Sequence, residues 1–359
     1  MGWTRRQLGR VLGTSVPAGW ALGLRGSASA TPRQAATPGV TLTSVDGLLV
    51  GHHTLPERPT GCTAILAPGG ASAGVAVRGA APGTRELALL EPGNTVEEIH
   101  AVTLSGGSAF GLAAADGVVQ RLREDGVGFP IPGGPVPIVP AAILFDLNVG
   151  EGARAPDDDA GYAAAAAASS SPVEQGCVGV GAGATLGKMG FGRPMKGGTG
   201  SAGYRFDDGT VVAALVATNG LGDVRNPWTG ELVAGAIDEH NRLINVEERF
   251  LRGELREPAS GPGQNTTIGV VATNRALTKT QCHRLASVAH DGLARAVVPA
   301  HSRLDGDTLF MLATNQAPEL ADNEANRLDA AVAASVSAAI LAAVEAATSV
   351  AGFTAARDL

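Results

Sequence analysis

The chain reads as a layered α/β or α+β domain. Three observations predict this: short β-branched runs alternate with alanine-rich amphipathic stretches, no long linker divides the chain from about Gly39 onward, and 44% of the 359 residues are hydrophobic while only 4% are aromatic. The core must then be aliphatic and closely packed. The 50 glycines are twice the usual share of about 7%. Together with 21 prolines they still fall short of the ~25–30% that marks low-complexity sequence, so they belong to turns and close chain contacts within a folded domain.

Along the chain, β-branched runs predict strands at 64–66, 74–78, 177–180, 210–217, 267–273 and 308–313. Residues 204–206 enter the fourth of these through Asp207-Asp208-Gly209, a hairpin signal. Helices are expected at 105–122, behind a glycine-rich cap, and at 157–168, with acids in the first turn. Thr278-Lys279-Thr280-Gln281 is a capping box that opens a third helix. A last helix carries Leu328, Val332, Val336, Ile340 and Val344 at four-residue steps on one face; its flanking acids and internal serines make it a core helix rather than a membrane span. Residues 1–30 read as a twin-arginine signal peptide, with Arg5-Arg6, a mildly apolar stretch and Ala28-Ser29-Ala30 before the expected cut. The implied destination is periplasmic or extracellular, with no stable membrane anchor.

Several classes of function are excluded by charge and spacing. There are 27 basic and 34 acidic side chains and no basic stripe, which argues against a nucleic acid partner. Cys62, Cys177 and Cys282 are odd in number and far apart, so they predict buried thiols rather than disulfides or a metal site. The histidines form no HExxH motif and none has a carboxylate at ligand spacing, and neither a metal nor a cofactor is expected. The glycine-rich run 179–188 fails as a phosphate loop, because Ala182 replaces a required glycine and Met189 follows Lys188 where Ser or Thr is needed. The G-x-S-x-G nucleophile elbow is narrowly missed around Ser108.

What remains is a polar, glycine-rich loop from Gly261 that runs into a buried-looking strand headed by Thr266 and Thr267. The stretch Asn265-Thr266-Thr267-Ile268-Gly269-Val270-Val271-Ala272-Thr273 resembles the self-cleavage junction of the DmpA-type L-aminopeptidase/D-esterase and β-aminopeptidase family. Five further stretches match in order: Val77 to Glu86, Ser105 to Leu112, Gly181 to Lys188, Ala217 to Gly220 and Asp305 to Thr308. The likeness covers roughly residues 40–316.

The resemblance implies a self-processing N-terminal-nucleophile hydrolase with a four-layer αββα sandwich of two packed mixed sheets. One domain would be cut into an N-terminal chain, 31–265, and a C-terminal chain, 266–359. The expected substrate is a small peptide or amide, with the processed heterodimers assembling as a homo-oligomer. By the same likeness Thr266 is the nucleophile, freed by cleavage after Asn265. Asn219 contributes to the oxyanion hole, and Asp305 and Asp307 orient amine and hydroxyl. Phe145 lies beside the substrate, where the β-aminopeptidase branch carries tyrosine. A free α-amine titrates near ~7.7–8.0, so it can serve its own residue's hydroxyl as base without a histidine. Two other readings stay open: an amidase for a pantetheine-like or other non-peptide substrate, and an exported, non-catalytic binding protein of the same fold.

Overall fold

The computed structural model describes residues 36–254, 256, 264–319, 321 and 324–359. The predicted signal segment 1–30 and the glycines at 261 and 263 lie outside these residues.

Nine strands make one hydrogen-bonded mixed sheet. In chain order they are β1 (Leu49–Thr54), β2 (Gly61–Val77), β3 (Thr84–Arg85), β4 (Glu98–Ser105), β5 (Ala141–Ile143), β6 (Gly198–Arg205), β7 (Val211–Asn219), β8 (Thr266–Arg275) and β9 (Thr308–Ala317). The sheet order is β3-β5-β4-β2-β9-β8-β7-β6, with β1 also paired to β2. β4/β5 and β8/β9 run parallel and the other pairs antiparallel.

The 17-residue β2 joins the nine strands into one hydrogen-bonded network. Its first part pairs with β1 and β4 and its second part with β9, with a register shift between Leu66 and Ala71. Pro68-Gly69-Gly70 sits in that shift. Such a bulge bends a strand without ending it, so what the sequence suggested as two strands, 64–66 and 74–78, is a single bent one.

The described residues form five α-helices: α1 (Ala114–Glu124), α2 (Asp158–Ala166), the short α3 (Val246–Leu251), α4 (Lys279–Ala296) and α5 (Ala325–Ala346). All but α3 pack on this sheet; Val246 of α3 joins a small separate cluster with Met189, Leu221, Ala236 and Ile244. Alternation along the strands sorts the apolar residues into separate clusters. Val212, Ala214, Val216, Val271, Leu309 and Met311 pack with α4 and α5. Their neighbours Ala213, Leu215, Ile268, Val270, Phe310 and Leu312 face Ile65, Val102 and Leu104 in a second cluster. Cys62, Ala64, Leu66 and Ala101 pack with α1 and α2 in a third. β7 and β8 are buried along their whole lengths.

The hairpin at 207–209, the strands at 210–217, 267–273 and 308–313, and the Thr278 capping box all form where the sequence places them. The expected helix 105–122 instead starts with the end of β4 at Ser105, continues as a 3₁₀ turn at Ser108–Ala113, and becomes α-helical only from Ala114. Left-handed backbone at Gly107 and Ser108 forces that break. Residues 177–180 are no strand. Thr54 Oγ1 and Thr63 Oγ1 accept from the N–H groups of Gly179 and Val180 at 2.8 and 3.2 Å, and the buried Lys196 ammonium donates to the carbonyls of Gly181, Ala184 and Gly197. Side chains thus satisfy backbone groups that a ladder would otherwise hold. Cys62 and Cys282 are buried as expected, whereas Cys177 is only half-buried.

The glycines let helices lie directly on strands. A Cβ at Gly200 in β6 would stand 2.2 Å from Ala339 O and from Ala343 N of α5. Gly200→Val should therefore destabilise the fold by about 3 kcal/mol or more, since overpacking of a closed contact costs ~1–3 kcal/mol even where neighbours can move, and here they are helix backbone. Urea unfolding of the purified variant against the parent checks this; equal midpoints would contradict the close contact.

Candidate active site

Strand register brings the residues singled out from the sequence to one end of the sheet. Thr266, the first residue of β8, lies opposite Asn219, the last of β7. Just ahead of β8, Asn265 bridges in parallel to Asp305, and its carbonyl accepts the N–H of Gly306 at 2.8 Å. Asn219, Asn265, Thr266, Asp305 and Asp307 are all buried. The Thr266 hydroxyl donates to the Asn265 carbonyl oxygen.

Asp307 Oδ1 accepts the N–H of Thr267 at 2.7 Å. The Thr267 hydroxyl, by contrast, is buried with no hydrogen-bond partner among the described residues, so of the two adjacent threonines only Thr266 directs its oxygen at a carbonyl. Asp305 Oδ2 accepts the N–H of Ser302 at 2.8 Å and its Oδ1 that of Leu221 at 3.3 Å. Burial raises the Asp305 carboxyl above the ordinary range, the nearby Asp307 adds to the rise, and the donated N–H groups oppose it.

A residue the sequence reading left without a role stands at the centre. Lys188 Nζ is 3.1 Å from each of three acceptors: the Asn219 carbonyl, Asn219 Oδ1 and the carbonyl of Gln264. Burial pushes this ammonium down to about 7, against the upward pull of Asp305 and Asp146. Asn219 Oδ1 also takes the Thr185 N–H at 2.9 Å, and its Nδ2 donates to the Phe145 carbonyl at 3.1 Å. In the intact chain the donors directed at the junction carbonyls are therefore Lys188 and Gly306, while Asn219 ties Lys188 to the Phe145 segment.

That segment is fixed by its neighbour. Asp146, fully buried, accepts from Thr60 Oγ1 at 2.6 Å and from the Gly107 N–H at 2.9 Å, with Arg58 Nη2 3.5 Å from its Oδ1. Phe145 is half-buried and reaches Asn219 through its backbone oxygen. The signal for Lys188 was present in the matched stretch Gly181 to Lys188, but its partners lie 31 and 76 positions away. Among the described residues no group of three His, Cys, Asp or Glu side chains could hold a metal ion.

Comparison with known proteins bears on this arrangement. The model of peptidase family S58 matches residues 41–357. An uncharacterized aminopeptidase of Mycobacterium leprae is 42% identical over 300 residues, covering 78% of this chain and 80% of that protein. A 6-aminohexanoate-oligomer endohydrolase of Kocuria sp. is 31% identical over 278 residues, covering 75% of this chain and 74% of the other. Among solved structures, a Burkholderia sp. β-aminopeptidase superposes with TM-score 0.67 at 24% identity, covering 88% of this chain and 90% of its own. The L-aminopeptidase D-Ala-esterase/amidase of Ochrobactrum anthropi, described as a variant of the Ntn hydrolase fold, superposes with TM-score 0.64 at 20% identity over 87% of each chain. With the family match spanning nearly all described residues and these relatives beside it, the chain belongs to peptidase family S58, as a hydrolase with an Ntn-hydrolase-like α/β fold.

Proposed function

We propose that the chain cuts itself between Asn265 and Thr266, and that Thr266 then hydrolyses N-terminal peptide or small amide and ester bonds through an acyl-enzyme. The observation that carries this is the buried Thr266 hydroxyl against the Asn265 carbonyl, with the Gly306 N–H on the same oxygen at 2.8 Å. In the first step Thr266 Oγ1 bonds to the Asn265 carbonyl carbon and its proton passes to the departing Thr266 nitrogen. The Asn265–Thr266 C–N bond breaks, leaving an ester and a free α-amine. Water then cleaves the ester, giving an Asn265 carboxylate and a Thr266 that carries both hydroxyl and amine. That amine takes the hydroxyl proton when Thr266 attacks a substrate carbonyl and returns it to the leaving amine, and a second water releases the acyl group.

Gly306 N–H and Lys188 supply positive potential where the oxyanion develops, and buried donors of this kind act with little reorganisation. Asp305 and Asp307 orient the strand start and its new amine, and Phe145 borders the substrate. In this reading the three apolar clusters correspond to the interfaces of an αββα arrangement of four layers. The 1–30 segment is proposed as a twin-arginine export signal. A non-peptide amide is the second substrate reading, favoured by the likeness to a 6-aminohexanoate-oligomer endohydrolase.

Intact-mass measurement of purified protein tests the cut directly: it should give a C-terminal piece of 359 − 265 = 94 residues starting at Thr266. Thr266→Ala should abolish both processing and hydrolysis, and Thr266→Ser should keep part of both. Thr267→Val should process normally, its hydroxyl having no partner to lose among the described residues. An active enzyme that stays uncut would refute the reading.

Asn219→Ala should lower kcat by about 10²–10³-fold with KM nearly unchanged, because it removes the Oδ1 that holds Lys188 beside the developing oxyanion. Kinetics normalised to titrated active sites check it; a kcat near the parent value would reduce Asn219 to a turn residue.

Lys188 gives a pH-dependent outcome. Its proton is held to about 7 in the folded chain against a reference of 10.5. Between those values the unfolded chain binds more protons, so stability contributed at this position rises with pH across that window. In a Thr266→Ala background, the stability of the chain with Lys188 relative to Lys188→Met should increase from pH 7 to pH 10. Urea unfolding at both pH values measures it, and a difference that does not change with pH would contradict the buried, low-affinity ammonium.

A further inference from the structure

Asp307 is gripped from two directions. While Oδ1 holds the Thr267 N–H, Oδ2 accepts two N–H groups of a single residue, the backbone N–H of His301 at 3.2 Å and its ring Nδ1 at 2.8 Å. Asp307 is thereby fixed in rotation as well as in place. His301 adopts left-handed backbone, φ +56°, which is uncommon away from glycine and asparagine. That conformation lets its own N–H and its ring converge on one oxygen.

The ring is supported from behind. His290 of α4 meets it edge to face with centroids 4.9 Å apart, and His290 Nε2 is itself 2.9 Å from the Ala76 carbonyl. The charged and titratable groups facing this cluster are Asp305 and Asp307 on the same loop, His290 on α4, Arg78 after β2 and Lys188, which faces Asp305. Burial pushes His290 down to about 4, so near neutral pH it carries no charge to offset the carboxylates. His301 is the one histidine that contacts a carboxylate at the site among the described residues.

We propose that His301 is a positioning residue: it orients Asp307, which through the Thr267 N–H sets where β8 begins and so where Thr266 points. The inference rests on the reading of Thr266 as nucleophile.

The test compares wild type, His301→Ala and His301→Asn for self-cleavage by intact mass and for kcat and KM per titrated active site. Asparagine tolerates the left-handed backbone and offers an N–H close to the Nδ1 position, so it should fold even if alanine does not. His301→Ala should lower kcat about 10-fold or more, since misplacement by an ångström costs up to ~10²-fold, with KM within about twofold. His301→Asn should recover most of kcat. A purely structural histidine would change the yield of folded protein and leave kcat per site alone. The inference is overturned if His301→Ala matches wild-type kcat per site, or if His301→Asn is as impaired per site as His301→Ala. A wild type that is neither cut at Asn265–Thr266 nor active on amides overturns the Thr266 reading as well, whereas a processed, active wild type with indifferent variants overturns this inference alone.

Discussion

The position of β8 between β7 and β9 is the constraint on which the site depends. Its antiparallel register with β7 sets Thr266 against Asn219, and the parallel approach to the β9 side sets Asn265 against Asp305. Side chains alternate along a strand, so a slip of one residue would turn the Thr266 hydroxyl to the opposite face and exchange the two apolar sets on either side of the sheet. Strand pairing that buries Ile268 and Val270 on one side and Val271 on the other therefore also aims the hydroxyl. Packing and chemistry are specified by the same hydrogen-bond ladder.

Burying Lys188, Asp305, Asp307 and Asp146 in one region opposes folding unless each charge is partnered. The partners are mostly backbone groups. Lys188 is surrounded by carbonyl oxygens, Asp305 takes two backbone N–H groups, Asp307 takes those of Thr267 and His301, and Asp146 takes that of Gly107. Backbone donors are held by the fold and lose little freedom when they bind a charge, which suits a site that must meet a developing charge without rearranging. The glycines fit this requirement locally: a Cβ at Gly106 would stand 2.3 Å from Asp146 Oδ2, and one at Gly79 would stand 2.1 Å from the Asp305 carbonyl.

Much of this was legible in the sequence where the signal was local. The capping box at Thr278, the hairpin at Asp207-Asp208-Gly209 and the apolar strand after Thr266 each need only their own neighbours to form. The likeness of six ordered stretches pointed to residues that the register does gather. Legibility failed where a segment is organised by distant side chains. Residues 177–180 have strand-like composition but are held by Thr54, Thr63 and, a few residues on, Lys196. The bulge in β2 was mistaken for a gap because Pro68-Gly69-Gly70 punctuates bends and breaks alike. Lys188 and His301 are hidden for a related reason: neither carries a periodic signal, and what gives Lys188 its environment is burial beside oxygens from two separate segments, Asn219 and Gln264.

The interleaving of β2, β9, β8 and β7 has a consequence for how the protein survives stress. With a cut before Thr266, β8 and β9 belong to one polypeptide while the strands on both outer sides, β7 and β2, belong to the other. Separating the pieces means breaking two ladders in the middle of the sheet at once, so loss of structure faces a high barrier. Recovery would be a meeting of two chains, dependent on concentration and on long-range strand pairing, which is slow. The nicked protein would then persist because it comes apart slowly, and a population once denatured would not readily return: its durability is a matter of rate more than of equilibrium.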